Sequence, residues 1–508
     1  MSEEKNNINS KPNSTTTTSS YRSIFKATSL FGGVQVYQIL ISIVKSKFVA
    51  LLLGPLGVGI QGLYSSAILF IQSLSEMGLK TSAVRDVSEA NGSGDIMKVA
   101  IIAKTLRRLV WCTGLLGMLL VIAFSPILSR TSFGDNEHII PFICLSITLL
   151  LDQICAGQKV VLQGMRRLKH LAKASAIGST VSLFVSVPLY YLYGIKGIVP
   201  TLILNSVTLL ILSWYYARQV KLPRVVLSVN ETIKNGAGML KMGLALSWSG
   251  ILVSGCAYVL RWFIREETGT EAVGLYSAGF TIINTYVGMI FTAIGTDYYP
   301  RLAAVNNDNS KMRNVVNQQG EIATLIMAPL LCACIIFMPV VIRILYSDRF
   351  LGANDFVLVA SIGMMYKLGS WLIAYQFIAK GESKLFIINE LVTNVYFLLF
   401  NILGYKFWGL SGLGWAFTIS YLIYFVQVYI IANKRYGYKL SRDFIQIMLL
   451  QLLLLGLSFV DVRLDNKIVL YIIGVLLILL SSTFSLRELN KRMDVFAKIN
   501  KKNKGQNR

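Results

Sequence analysis

The sequence predicts an all-α integral membrane protein of about fourteen transmembrane helices, arranged as two parallel-repeat six-helix bundles plus two C-terminal helices. Three observations carry this. Apolar runs of membrane-spanning length recur along the chain, the basic residues cluster in alternate loops, and the sequence repeats itself internally.

The apolar runs come first. The 508-residue chain is 54% hydrophobic and 15% charged, with a mean hydropathy of +0.59. An average soluble chain is roughly 25% charged, so a string of soluble domains is excluded. A run of roughly 20 apolar residues crosses the ~30 Å hydrocarbon core as a helix. Barrel strands are shorter and alternate, so these runs satisfy their backbone groups as helices. Helices are placed at about 29–53, 56–79, 101–126, 139–162, 175–193 and 198–217. A second set follows at about 240–264, 273–299, 321–343, 356–378, 385–404 and 411–432, and a last pair at about 443–460 and 467–486. The expected organisation is therefore a disordered tail over 1–24, a six-helix lobe over 25–234, a second over 235–440, an accessory pair over 441–486 and a basic tail over 487–508.

Orientation follows from Lys and Arg in the loops. Arg85, Lys98, Arg107 and Arg108, then Arg166, Arg167, Lys169 and Lys173, then Arg218, Lys221 and Arg224, all fall in loops on the side of the termini. Arg301, Lys311, Arg313 and Lys434 to Arg442 continue the series. Both termini are expected in the cytoplasm. The net charge of +24 is then a topology signal that also favours anionic lipid near the tail, and nucleic acid is not an expected partner. The polar start of the chain shows no cleavable signal. The six cysteines lie in apolar runs without a Cys-x-x-Cys spacing, and two histidines provide no metal or catalytic set, so no cofactor is expected. No phosphate-binding Gly-x-x-x-x-Gly-Lys-Ser/Thr loop occurs. The outer loops are too short for a catalytic domain.

The repeat has a spacing near 215. Gly62-Leu63-Tyr64-Ser65 recurs as Gly274-Leu275-Tyr276-Ser277, and Pro126 with Arg130 recurs as Pro339 with Arg343. Gly164 matches Gly381, and Tyr193 to Gly197 matches Trp408 to Gly412. Six helices per unit give both units the same orientation, with the pseudo-twofold along the membrane normal.

Polar stripes mark the helices expected to face one another. Gln35, Gln38, Ser42 and Lys45 fall within an arc of about 80° on the first helix, and Ser247, Gly250, Ser254, Tyr258 and Arg261 do so on its repeat mate. Gln61, Tyr64, Ser65, Gln72, Ser75 and Glu76 share a face of the second helix, and Ser277, Thr281, Asn284, Thr285, Gly288 and Thr292 a face of the eighth. Small polar residues also line dry helix contacts. An ionisable group at mid-bilayer needs water or a partner, so Lys45, Lys159, Arg261 and Lys367 point instead to a wet, basic cleft that attracts anions. Guanidinium and ammonium groups suit phosphate. The candidate binding residues are therefore Lys45, Gln38, Arg261, Lys367, Lys159, Gln35 and Tyr258. Asp152, Glu76, Asp297 and Glu390 are candidates for coupling to an ion. Lys47 points away from Lys45 and is expected to reach the outer surface, where Arg130 and Arg343 would anchor to headgroups.

Ser29 to Gln35, Gly54-Pro55-Leu56-Gly57-Val58-Gly59 and Thr81 to Asp86 resemble the O-antigen flippases (Wzx type) of the polysaccharide transporter family. Val273 to Ala278 and Asp297 to Leu302 are also similar, and the resemblance covers most of residues 25–440. It implies the multidrug/oligosaccharidyl-lipid/polysaccharide exporter superfamily: a V-shaped transporter with a central basic cavity, to which Lys45, Arg261 and Lys367 would correspond. It implies a substrate built as an oligosaccharide on undecaprenyl pyrophosphate, moved from the cytoplasmic to the periplasmic leaflet of the bacterial inner membrane. A glycan polymerase and a chain-length regulator are then candidate partners. A cation-coupled drug exporter of the same fold would want acids dominating the cavity. A non-transporting component of a glycan assembly complex would use the polar stripes as packing seams.

Overall fold

The computed structural model describes residues 14–493, and the regular structure among them is helical, without strands. The first repeat comprises α1 (Ser14–Ser75), α2 (Leu79–Gly92), α3 (Ile96–Phe133), α4 (Ile139–Gly164), α5 (Leu168–Tyr193) and α6 (Ile198–Arg218). The second comprises α7 (Val229–Thr268), α8 (Thr270–Thr281), α9 (Met289–Ala304), α10 (Asn309–Leu345), α11 (Asn354–Ala379) and α12 (Ser383–Tyr436). The pair α13 (Arg442–Asp461) and α14 (Lys467–Met493) follows.

Ten helical runs are long and apolar enough to cross a membrane, and the bent pair Val229–Leu244 and Ser247–Thr268 makes an eleventh. Three of these runs, Gly33–Ser75, Leu168–Arg218 and Ser383–Tyr436, are of double length and break at Gly54, Gly194 and Gly409. Each half still spans ~30 Å at 1.5 Å per residue. Counted as two each, they bring the total to the expected fourteen. Alternate crossing then puts Gly54, Gly134, Gly194, Gly269 and Gly409 on one face, called here the far face. The start of α1 and the end of α14 lie on the near face.

The breaks display the repeat more sharply than the sequence does. Gly54 has φ 65 and ψ −173, and Gly269 has φ 96 and ψ 175. Gly194 has φ 54 and ψ −132, and Gly409 φ 57 and ψ −138. Arg166 (φ 54) and Gly381 (φ 73) make a third pair. The members of every pair lie 215 residues apart. Left-handed φ favours glycine, and Pro55 fits the first turn of the helix that follows Gly54. Arg166, and not Gly164, is therefore the counterpart of Gly381. The same register pairs Gly59 with Gly274, so the Gly-Leu-Tyr-Ser strings match one helical turn out of step.

Gly59 and Gly274 bring the two repeats into contact. A Cβ on Gly59 would lie 2.0 Å from the Thr270 carbonyl oxygen, and one on Gly274 would lie 1.9 Å from that of Pro55. Pro55 and Thr270 are themselves 215 residues apart, so the contact is self-complementary about the pseudo-twofold. Backbone approach this close requires glycine at both positions. On the near face, α2 and α7 touch through Gly78 and Gly243.

Several elements depart from expectation. The span placed at 56–79 ends at Ser75, and Leu79–Gly92 forms a separate helix. Its amphipathic sequence buries Leu79, Ala83, Val87 and Ala90 along one stripe. The span expected over 273–299 is interrupted by a π-helical turn at Ile282–Val287. Helix α1 begins at Ser14, inside the stretch expected to be disordered, because extending an established helix is far easier than nucleating one. Residues 1–13 and 494–508, which hold the remainder of both expected tails, lie outside the described residues. The accessory pair packs on α10, where Glu321 accepts from Ser441 at 2.9 Å and pairs with Arg492 at 3.0 Å.

Candidate functional site

A cavity of about 750 Å³ lies between the repeats. From α1 it is lined by Ser42, Lys45, Gln61 and Ser65, and from α7 and α8 by Ser254, Arg261, Ser277 and Thr281. Its lining contains no carboxylate among the described residues. Apolar positions on the other faces of these helices pack into the repeats, which leaves the polar arcs turned toward each other.

The two cations are held differently. Lys45 Nζ donates to Ser182 Oγ on α5 at 2.8 Å. Arg261 Nη1 donates to the Ala257 carbonyl at 3.0 Å, and its guanidinium lies over the rings of Tyr276 at 5.5 Å and Phe280 at 5.7 Å. The Nε of Arg261 is buried without a hydrogen-bond partner. Neither cation has an ion-pair partner among the described residues. A guanidinium packed on aromatic faces is oriented while its outer N–H groups stay available to a ligand. Together the two groups can receive an anion that offers several oxygens.

The remaining candidates divide. Gln35 and Gln38 sit on α1 nearer its start, and the cavity lining begins past them at Ser42. Lys159 and Asp152 line a second pocket of about 590 Å³ inside the first repeat, with Gln72, Lys80 and Gln163. The polar stripe on the second half of α1 thus serves two spaces, Gln61, Ser65 and Ser73 facing one and Gln72 the other.

Lys367 is not in the cavity lining. Its Nζ donates to Asn284 Oδ1 at 2.7 Å and sits over the rings of Tyr421 at 5.2 Å and of Phe291 and Phe417 at 5.7 Å each. Asn284 belongs to the π-helical turn, a distortion frequent at functional sites. Lys367 is the 215-residue counterpart of Asp152, and Tyr421 that of Ser206, which interacts with Asp152. Equivalent positions in the two repeats therefore hold opposite charges on equivalent helix pairs.

Four candidates belong to other structures. Tyr258 packs into the seam with α3, its hydroxyl bonded to Thr131 at 2.6 Å and Ser132 at 3.2 Å and its ring stacked on Phe70. Tyr258 stands at the margin of the α7 polar arc, where the helix turns it past the cavity edge and into the seam. Asp297 forms an exposed pair with Arg301 at 2.8 Å, one turn along α9 at the near face. Glu76 pairs with Lys80 at 2.8 Å. Glu390 accepts from Ser249 and Tyr424 at 3.3 Å each, in the seam between α7 and α12. Ser182, the partner of Lys45, lies outside the sequence candidates, although Ser175, Ser179, Ser182 and Ser186 form a stripe at helical spacing.

Two like-oriented helical repeats around a basic interior cavity make a fold shared with membrane transporters of the multidrug/oligosaccharidyl-lipid/polysaccharide exporter superfamily. The chain belongs to the polysaccharide biosynthesis protein family, whose profile matches residues 48–355. The profile of the lipid II flippase MurJ matches residues 231–485. The lipid III flippase of Escherichia coli (strain K12) is 20% identical over 390 residues, 75% of this chain and 91% of that protein. Solved structures that share the fold include the following two. An inward-facing multidrug resistance MATE family transporter aligns at a TM-score of 0.65 and 15% identity, covering 79% of this chain and 94% of its own. The lipid II flippase MurJ in an inward closed conformation aligns at 0.64 and 14% identity, covering 92% and 99%.

Proposed function

We propose that the protein flips an oligosaccharide carried on undecaprenyl pyrophosphate from the cytoplasmic to the periplasmic leaflet of a bacterial inner membrane. Both termini lie in the cytoplasm in this reading, so the near face is cytoplasmic. The cargo is an O-antigen or a related surface-glycan unit, and the two repeats expose the cavity to each side in turn. The observation that carries the reading is the pairing of Lys45 with Arg261 across a hydroxyl-lined cavity without an acid among the described residues. A diphosphate offers both cations an oxygen, and the Ser, Thr and Gln side chains suit sugar hydroxyls. The resident flippases among its relatives are in keeping with this cargo.

A drug exporter for cationic compounds would place carboxylates where Lys45 and Arg261 stand, because like charge repels its substrate. The test is genetic. Cells depleted of the protein should accumulate lipid-linked glycan on the cytoplasmic leaflet, and Lys45→Ala with Arg261→Ala should fail to clear it. Accumulation of unpolymerised units on the periplasmic leaflet would refute the proposal.

A further inference from the structure

The far face carries a second reciprocal relationship between the repeats, distinct from the cavity. Lys47 on α1 donates from Nζ to the carbonyl of Arg343, in the last turn of α10, at 2.6 Å. Arg265 on α7 donates from Nη2 to the carbonyls of Arg130 at 3.3 Å and Thr131 at 2.9 Å, in the last turns of α3. Helices α3 and α10 are repeat counterparts, and Arg130 and Arg343 each follow a proline by four residues. Each repeat's opening helix therefore sends one cation across the pseudo-twofold to the closing turns of the counterpart helix in the other repeat.

That place suits a cation. The last carbonyls of a helix have no intrahelical donor and carry the negative end of its dipole. Arg265 is seated closely: a Cβ on Gly134, the left-handed cap of α3, would lie 2.7 Å from Arg265 Nη1. The Arg265 side chain is 11% exposed, and its one ion-pair partner among the described residues, Glu266 at 2.7 Å, is a neighbour on its own helix. Lys45 and Lys47 diverge on α1, the first reaching the cavity and the second the opposite repeat.

We infer that Lys47 and Arg265 form a two-point clasp that holds the far face closed and must release before the cavity opens there. The clasp lies beside the breaks at Gly54 and Gly269, where helix direction can change, and beside the close Gly59–Gly274 contact between the repeats. Because the acceptors are main-chain carbonyls, the contact survives substitution of the acceptor side chains and depends on the two donors alone. A charge-assisted hydrogen bond contributes more than a neutral one, so losing both shifts the balance of states measurably.

The experiment requires no substrate, so its outcome is independent of the proposed cargo. The six cysteines are replaced and a single reporter is introduced as Ser65→Cys in the cavity wall. Labelling by a membrane-impermeant thiol reagent is then timed from each face of oriented vesicles. Lys47→Met with Arg265→Met should raise labelling from the far face by about tenfold or more and lower it from the near face. Lys47→Arg and Arg265→Lys should stay near the parent. An unchanged far-face rate in the double variant would overturn the clasp. So would an equal rise from both faces, which reports general loosening.

Discussion

Lys45 and Arg261 stand 216 residues apart on the opening helices of the two repeats, and both reach the same cavity. They are near-equivalents under the repeat, yet each is steadied by different chemistry, a serine hydroxyl for the ammonium and two aromatic faces for the guanidinium. Two cations facing one space repel each other unless an anion lies between them. In the proposed function an anionic headgroup between them relieves that repulsion.

Replacing either cation should weaken binding of a diphosphate-bearing lipid. Lys45→Ala and Arg261→Ala should each cost about 1.5–3 kcal/mol, roughly 10- to 150-fold in apparent affinity. Arg261→Lys should restore little, because an ammonium loses both the ring stacking and the fork. Titration of purified variants with undecaprenyl pyrophosphate measures this, and thermal unfolding of the same samples should stay close to that of the parent.

Ser182→Ala should act in the same direction and more weakly. It leaves the charge of Lys45 and removes its guide, at a cost of about 1 kcal/mol or roughly fivefold in affinity. Ser182→Thr, which keeps the hydroxyl, should recover most of the loss in the same titration.

The contact between the repeats is steric and should be intolerant of a single methyl. Gly59→Ala and Gly274→Ala each drive a Cβ to within about 2 Å of a carbonyl oxygen, so the repeats must separate locally. Both variants should lower the thermal midpoint and stop transport. Gly456→Ala on α13, where nothing lies within 4 Å, should do neither.

Lys367 and Asn284 make a prediction about stability. Asn284→Leu strips a half-buried ammonium of its acceptor and should destabilise by about 2 kcal/mol. Lys367→Met removes the charge with it and should cost less, since an apolar chain of similar length packs among the three rings. The double variant should therefore be more stable than Asn284→Leu alone, as read by denaturant or thermal unfolding.

The architecture was largely legible because a bilayer imposes a length and a polarity on every crossing, and both are written in the residues. The repeat was legible as well, but its register was not, since short strings such as Gly-Leu-Tyr-Ser recur one turn away from the true match. Backbone breaks at Gly54 and Gly269, Arg166 and Gly381, and Gly194 and Gly409 settle it. The angular arcs turn Lys45 and Arg261 toward one space, and both residues line the same cavity. The arc misplaces Tyr258, because it tells which face a residue occupies and not which neighbour covers that face, and the mid-bilayer depth that singles out Lys367 is equally silent about its neighbours. The aromatic ring around Lys367 comes from α9 and α12, far away in sequence. Lys47, expected to reach for the surface, bonds instead to a carbonyl 296 residues on, and main-chain acceptors leave no mark in a sequence.

The most direct test is translocation by the purified protein in liposomes. Undecaprenyl-pyrophosphate oligosaccharide is placed in one leaflet, and its arrival in the other is followed with a glycan-modifying enzyme that cannot cross the membrane. The parent should carry the lipid across well above protein-free liposomes, and Lys45→Ala with Arg261→Ala should fall to that background while remaining folded. Equal transfer by the parent and the double variant would contradict the claim that these two cations hold the diphosphate during passage.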